Sequence, residues 1–103
     1  MAVMIAEKIA EIVERIESGP NLQVKLQRLV EKEIRRRLAE YEYINRQFQQ
    51  KYGMTLAEFE ATHMLEKLGY SFEAESDYHD WDQAVDGIAM LRRELRFLSE
   101  AGS

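Results

Sequence analysis

The sequence predicts an all-α fold of about four helices built around one long central helix. Its 103 residues include one Pro and five Gly, which leaves few places where a helix must end. Apolar residues recur at spacings of three and four through most of the chain, the period of an α-helix. Hydrophobic residues make up 46% and charged residues 32%, a composition typical of folded rather than disordered chains. The length predicts a single domain spanning residues 1–103.

The first helix is predicted over residues 2–17. Ile5, Ile9, Ile12 and Ile16 follow spacings of four, three and four, which places them on one apolar stripe. Gly19 and Pro20 then end the helix. Charged residues interrupt the apolar run at Glu7 and Lys8, so a secretory signal peptide is not expected. Together with the absence of cysteine, this predicts a cytoplasmic protein.

The second helix is predicted from Asn21 or Leu22 to Tyr52. About 30 residues at ~1.5 Å each span roughly 45 Å, longer than a globular protein of this size is wide. The helical hairpin of residues 1–52 is therefore expected to form a homodimeric bundle along its apolar stripe. The residues expected at the dimer contact are Ile5, Ile9, Ile12, Ile16, Leu26, Leu29, Ile34 and Leu38.

Residues 53–103 are predicted to form capped helices and a partner-binding surface. Thr55 and Glu58 have the spacing of a capping box, and the helix that they start is expected to close at Gly69. Residues 70–76 alternate aromatic and polar side chains, which predicts an extended link. The last helix is expected from Asp80, capped through Gln83, to about Glu100.

Charge is distributed unevenly along the chain. Residues 22–52 contain eight Lys and Arg and four acidic residues, whereas residues 53–91 contain one Lys and nine acidic residues. The simpler explanation is that the basic and acidic halves pair with each other. The alternative is that one of them binds a charged partner.

The acidic segment does not have the pattern of a metal site or an active site. Six carboxylates and His79 lie between residues 73 and 86, but their spacing does not match a calcium loop. Zinc would need a second His or a Cys nearby, and the other histidine, His63, lies sixteen residues upstream. No nucleophile, phosphate-loop or metalloprotease motif is present. We therefore expect no metal, no cofactor and no enzymatic activity, with a small metal-dependent enzyme as the third alternative.

The run "EKEIRRRLAE" in the second helix suggests nucleic-acid binding as the second alternative. Its candidate phosphate contacts are Lys32, Arg35, Arg36 and Arg37. Interleaved acids such as Glu33, four residues before Arg37, instead favour a salt-bridged solvent-exposed face.

Aromatic residues among the acids favour a protein partner, because buried Tyr and Trp anchors with a charged rim are typical of binding hot spots. The default interpretation for Tyr78 and Trp81 is a position in the core, with partner contact as the alternative. The candidate partner-binding residues are Tyr70, Phe72, Glu73, Glu75, Asp77, Tyr78, Trp81, Asp82 and Asp86.

Two stretches resemble small prokaryotic antitoxin-like proteins of type II toxin–antitoxin systems. They are "QQKYGMTLAEFEA" (residues 49–61) and "FEAESDYHDWDQAVDGIAMLRREL" (residues 72–95), and the resemblance covers roughly residues 30–98. It implies a cognate toxin as partner, typically a small basic ribonuclease, which the antitoxin neutralises by masking its surface. The N-terminal isoleucine helix departs from that pattern, and no standard DNA-binding domain is recognisable.

Overall fold

The computed structural model describes residues 2–101, and this part of the chain is all-α. It contains five helices, α1 (Ala2–Ile16), α2 (Leu22–Tyr52), α3 (Leu56–Ala61), α4 (Met64–Lys67) and α5 (Phe72–Ala101), and no strand. The predicted fold class, with its long central helix, is confirmed. No helix in residues 2–101 is both long enough and apolar enough to span a membrane.

The predicted caps at both ends of α2 and at the start of α3 are present. Asn21 caps α2, and its Oδ1 accepts a hydrogen bond from the Val24 amide at 2.9 Å. Gly53 ends α2 in the left-handed conformation with φ 67°, where a side chain would be strained. Thr55 and Glu58 form both bonds of the capping box at the start of α3.

The predicted third helix is divided in two. Thr62 Oγ1 donates to the Glu58 carbonyl at 2.7 Å, and His63 then adopts a left-handed φ of 53°. A hydroxyl that bonds back to the preceding turn competes with continuation of the helix. The chain resumes as α4 and reverses at Gly69 and Tyr70, which have φ values of 70° and 52°.

The last helix begins earlier than predicted. Residues 70–76 were expected to be extended, but α5 starts at Phe72, and Ser71 Oγ accepts a hydrogen bond from the Ala74 amide at 3.1 Å. Asp80 therefore lies two turns inside the helix and does not cap it. Ser71 is as good an N-cap residue as Asp80, and the earlier start gives Ala74 and Trp81 the helical spacing that buries both.

The core lies where α3 and α5 pack against the C-terminal half of α2. Trp81 and Phe59 are fully buried, with their ring centroids 5.4 Å apart in an edge-to-face arrangement. Tyr52 stacks on Trp81 at 5.8 Å. The buried indole N–H of Trp81 donates a hydrogen bond to Asn45 Oδ1 at 2.8 Å, so this donor is satisfied.

The N-terminal helix packs against α2 through a different side from the isoleucine stripe. Val13 is buried at this contact, and Lys32 Nζ donates to both carboxylate oxygens of the buried Glu17 at 2.7 and 2.9 Å. The hairpin forms, but Ile5, Ile9, Ile12 and Ile16 remain 50–67% exposed. The molecule is elongated, with extents of 56 × 31 × 18 Å.

Candidate protein-binding surface

The carboxylates of α5 lie on two different sides of the helix. Ala74, Trp81 and Ala84 are buried, which fixes the orientation of the helix against α2. With this side inward, the helical period places Glu73 and Asp77 on one flank. Glu75, Asp82 and Asp86 lie on the opposite flank. The predicted partner-binding residues are thus divided between two surfaces.

Glu73 and Asp77, on the first flank, share one cationic partner within the chain. Lys51 Nζ lies 2.7 Å from a Glu73 oxygen and 2.6 Å from an Asp77 oxygen. The Tyr52 hydroxyl donates to the same Asp77 oxygen at 2.6 Å. These bonds fix the junction of α2 and α5, so Glu73 and Asp77 already have a structural role.

This cluster shifts the pKa values of its members. Burial raises the pKa of the Asp77 carboxyl, but the hydrogen bonds from Lys51 and Tyr52 outweigh it and hold this pKa below its usual value. Burial, followed by the hydrogen bond to Asp77, raises the pKa of Tyr52 to about 12. Asp77 is therefore an ionised acceptor and Tyr52 a protonated donor at neutral pH.

The second flank keeps its charges unpaired. One stripe of α5 has residues at spacings of three, four and four: Glu75, Tyr78, Asp82 and Asp86. Within residues 4–100, no salt bridge involves the three carboxylates of this stripe. Glu75 and Asp86 are exposed, and Asp82 is half-buried.

A surface cavity of about 250 Å³ opens beside Tyr78, between α3, α4 and the start of α5. The Tyr78 hydroxyl donates to Glu60 at 3.0 Å across it. This bond, together with burial and the nearby Asp82, raises the pKa of Tyr78. The lining residues are Phe59, Glu60, His63, Met64, Leu65, Glu66, Tyr70 and Tyr78.

Two lining residues of this cavity have unusual backbone conformations. His63 and Tyr70 both have positive φ, and no other non-glycine residue in the described chain does. Such conformations cost on the order of 1–3 kcal/mol each and are often concentrated at functional sites. Here they place the ends of α4 around the cavity.

We define the acidic surface as Glu60, Glu66, Glu75, Asp82 and Asp86 around Tyr78. It joins the α5 stripe to the cavity, and among the described residues none of its five carboxylates forms a salt bridge. The exposed Tyr70 lines the cavity together with Tyr78. This arrangement suits a positively charged side chain, which carboxylates attract and aromatic faces stabilise.

Three predicted aromatic contacts have different positions in the structure. Trp81 is fully buried and belongs to the core, so it offers no side-chain surface to a partner in this fold. Tyr70 lines the cavity and is 56% exposed. Phe72, at the start of α5, is 90% exposed.

The basic face of α2 is paired mainly with acids of the same helix. Arg36 bonds Glu33 and Glu40 at 2.8 and 2.6 Å. Arg37 also pairs with Glu33, Arg35 with Glu31, and Lys32 with Glu17. The two arginines hold the pKa of Glu33 at about 2. Pairing between the basic and acidic halves of the chain therefore explains the charges of Glu73 and Asp77, which contact Lys51. It does not explain the charges of the acidic surface.

The described residues contain no group of three His, Asp or Glu side chains arranged to hold a metal ion. His79 is exposed on α5, and His63 lies on the turn before α4.

Sequence reasoning missed Glu60 and Glu66 as members of the surface. It treated residues 56–69 as one continuous helix, whereas the break at His63 positions α4 beside Tyr78. Neither Gly nor Pro marks this break. The only local signal is Thr62, whose tendency to bond the preceding turn is weak evidence by itself.

Comparison of the chain with protein-family models, with curated proteins and with solved structures found no match.

Proposed function

We propose that this protein is an interaction module that binds a basic protein partner through the acidic surface. The observation that carries the proposal is a set of five carboxylates that form no salt bridge within the described residues: Glu60 and Glu66 line the cavity, and the other three follow the α5 stripe that passes through Tyr78. Like charges grouped in this way repel one another, and no Lys or Arg of the described chain lies within salt-bridge distance of these carboxylates. A partner with Lys or Arg side chains would supply it and would gain electrostatic steering towards the surface.

The cavity gives the proposal a specific contact. Its volume of about 250 Å³ admits a Lys or Arg side chain from the partner. Glu60 and Glu66 would pair with the cationic group, while Tyr70 and Tyr78 contact it with their ring faces. Phe72, exposed at the start of α5, would add apolar contact area beside the cavity.

The resemblance to type II antitoxins suggests the class of partner, a small basic toxin in the prokaryotic cytoplasm. The mechanism would be masking: the acidic surface covers basic residues with which the toxin binds its own substrate. No chemistry on this chain is required. The salt-bridged basic face of α2 supports this proposal over direct nucleic-acid binding.

The test is binding to the product of the adjacent gene, measured by titration calorimetry. We expect a complex whose affinity falls with salt, and about tenfold weaker binding for the variant Glu75→Gln, Asp82→Asn, Asp86→Asn. The control is Glu7→Gln, Glu14→Gln, Glu94→Gln, which removes the same charge elsewhere and should bind like wild type. Equal binding by both variants, or no binding by the wild-type protein, would reject the proposal.

A further inference from the structure

The isoleucine stripe of α1 is a large apolar surface that the described chain leaves uncovered. Ile5, Ile9, Ile12 and Ile16 are 57%, 52%, 50% and 67% exposed. Large apolar side chains exposed in an unbroken row are unusual in a monomer and mark an interaction site. This observation is independent of the acidic surface and of the proposed function.

The contacts of α1 with α2 explain why the stripe is free. Val13 and Glu17 face α2. The stripe is turned roughly 100° around the helix from those residues, as the helical period requires. Leu26, also expected at the dimer contact, is 41% exposed, but it lies on another side of α2 and lines a groove of about 250 Å³ with Leu98 of α5.

We propose that the isoleucine stripe forms a two-fold contact with a second copy of the same chain. A stripe of identical β-branched residues is complementary to itself, as an isologous interface requires. Charges of both signs flank it, including Lys8, Glu11 and Arg15, so the rim selects neither a basic nor an acidic partner. The spacing of four, three and four is that of a coiled-coil seam, where isoleucine at both positions favours assemblies of three or four helices.

Two copies provide that number of helices. Two α1 helices and two α2 helices would form a four-helix arrangement around the isoleucines. A stable complex buries about 800 Å² per partner; the four isoleucines supply on the order of half of this area, and the exposed Met4 and the polar rim add to it. The dimer contact is therefore centred on α1. Leu29, Ile34 and Leu38, also expected at the dimer contact, are half-buried within the single chain.

The mass in solution, measured by sedimentation equilibrium, tests this assembly. We expect the wild-type protein at twice the chain mass of 12.1 kDa. The stripe variant Ile9→Gln, Ile12→Gln should have the mass of one chain at the same concentration. The control Glu7→Gln, Glu14→Gln introduces the same residues on another exposed side of α1 and should remain dimeric.

Near-ultraviolet circular dichroism of the buried Trp81 shows whether the variants retain the core. We expect the same Trp81 signal in the wild type, the stripe variant and the control. A monomeric wild type at 100 µM, a mass of three or more chains, or a stripe variant that stays dimeric would each overturn the proposal. So would a stripe variant that becomes monomeric only with loss of the Trp81 signal.

Discussion

At the scale of single residues, the most consequential polar contact is the bond between Asn45 and Trp81. Trp81 has no exposed surface, and its indole N–H reaches Asn45 Oδ1 at 2.8 Å. A buried donor without an acceptor costs about 1–3 kcal/mol. The bond therefore fixes which side of α5 faces α2, because rotating the helix would leave the donor unsatisfied.

Replacing Asn45 with Ala should lower the free energy of unfolding by about 1–3 kcal/mol, because the Trp81 donor loses its acceptor. Urea titration followed by circular dichroism measures this change. Gln47→Ala, at an exposed position of α2, is the control and should change stability by less than about 0.5 kcal/mol. The same change made in a Trp81→Phe background tests the cause, because that background has no indole donor. There, Asn45→Ala should lower the free energy of unfolding by less than about 0.5 kcal/mol. A loss as large as in the wild type would show that the hydrogen bond to Trp81 is not its cause.

Replacing Tyr52 with Phe should remove the part of the alkaline loss of folding stability that comes from the ionisation of Tyr52. The folded pKa of Tyr52 is raised to about 12, whereas the unfolded value is about 10. A raised pKa contributes stability that is complete below pH 10 and is lost as pH rises through 12. We expect Tyr52→Phe to be less stable by about 1–3 kcal/mol at pH 7, with the difference shrinking above pH 10.

Urea unfolding at several pH values between 6 and 11.5 measures this dependence. Tyr43→Phe is the matched control, because Tyr43 is 58% exposed, and its stability should follow the wild type throughout. Asp77 acts in the opposite direction: its lowered pKa contributes stability above about pH 4 that is lost on acidification. A constant difference between wild type and Tyr52→Phe up to pH 11.5 would show that the bond to Asp77 is not what Tyr52 contributes.

At the scale of helices, α2 and α5 approach closely at Gly87. A Cβ at this position would lie 2.6 Å from Cε2 of Tyr41, well inside contact distance. Glycine inside a helix costs about 1 kcal/mol relative to alanine. The helix accepts this cost because the absence of a side chain lets the ring of Tyr41 pack on α5.

The change Gly87→Ala should therefore destabilise the protein by about 1 kcal/mol, since overpacking outweighs the gain in helix propensity. In a Tyr41→Ala background the same change should stabilise by about 1 kcal/mol, because only the propensity gain is left. Thermal and urea unfolding of the four proteins measure the reversal of sign. A stabilising Gly87→Ala in the wild-type background would indicate that the Tyr41 ring moves away without cost.

The helix boundaries show what local sequence can and cannot specify. Asn21, Gly53 and the Thr55–Glu58 box determine their boundaries because each supplies the hydrogen bond or conformation that a helix end needs. The start of α5 was not predictable in this way, since Ser71 and Asp80 are both good N-cap residues. Burial of Ala74 beside Trp81 decides between them, and that is a tertiary effect.

At the scale of the whole molecule, the chain is more extended than its length requires. The Cα radius of gyration is 19.5 Å, whereas a compact domain of this length would have about 13 Å. We expect the monomeric variant Ile9→Gln, Ile12→Gln to give about 20 Å by small-angle X-ray scattering. A value near 13 Å would contradict the elongated arrangement of α1, α2 and α5 in solution.

The acidic surface also belongs to this scale, and the sequence revealed only part of it. The excess of acid in residues 53–91 was evident, as was the involvement of Glu75, Asp82 and Asp86. The separation of these residues from Glu73 and Asp77 depends on the register of α5 against α2 and on Lys51. No local pattern specifies that register, because the buried contacts of Trp81 set it.

The length of α2 sets how far the acidic surface lies from the proposed dimer contact. The α1 contact lies near Arg28 and Lys32, and the aromatic core begins near Phe48, so ~1.5 Å per residue separates the two ends by roughly 30 Å. In a pair joined at α1, each acidic surface would lie roughly 30 Å from the dimer contact, so both surfaces would stay free to bind a basic partner.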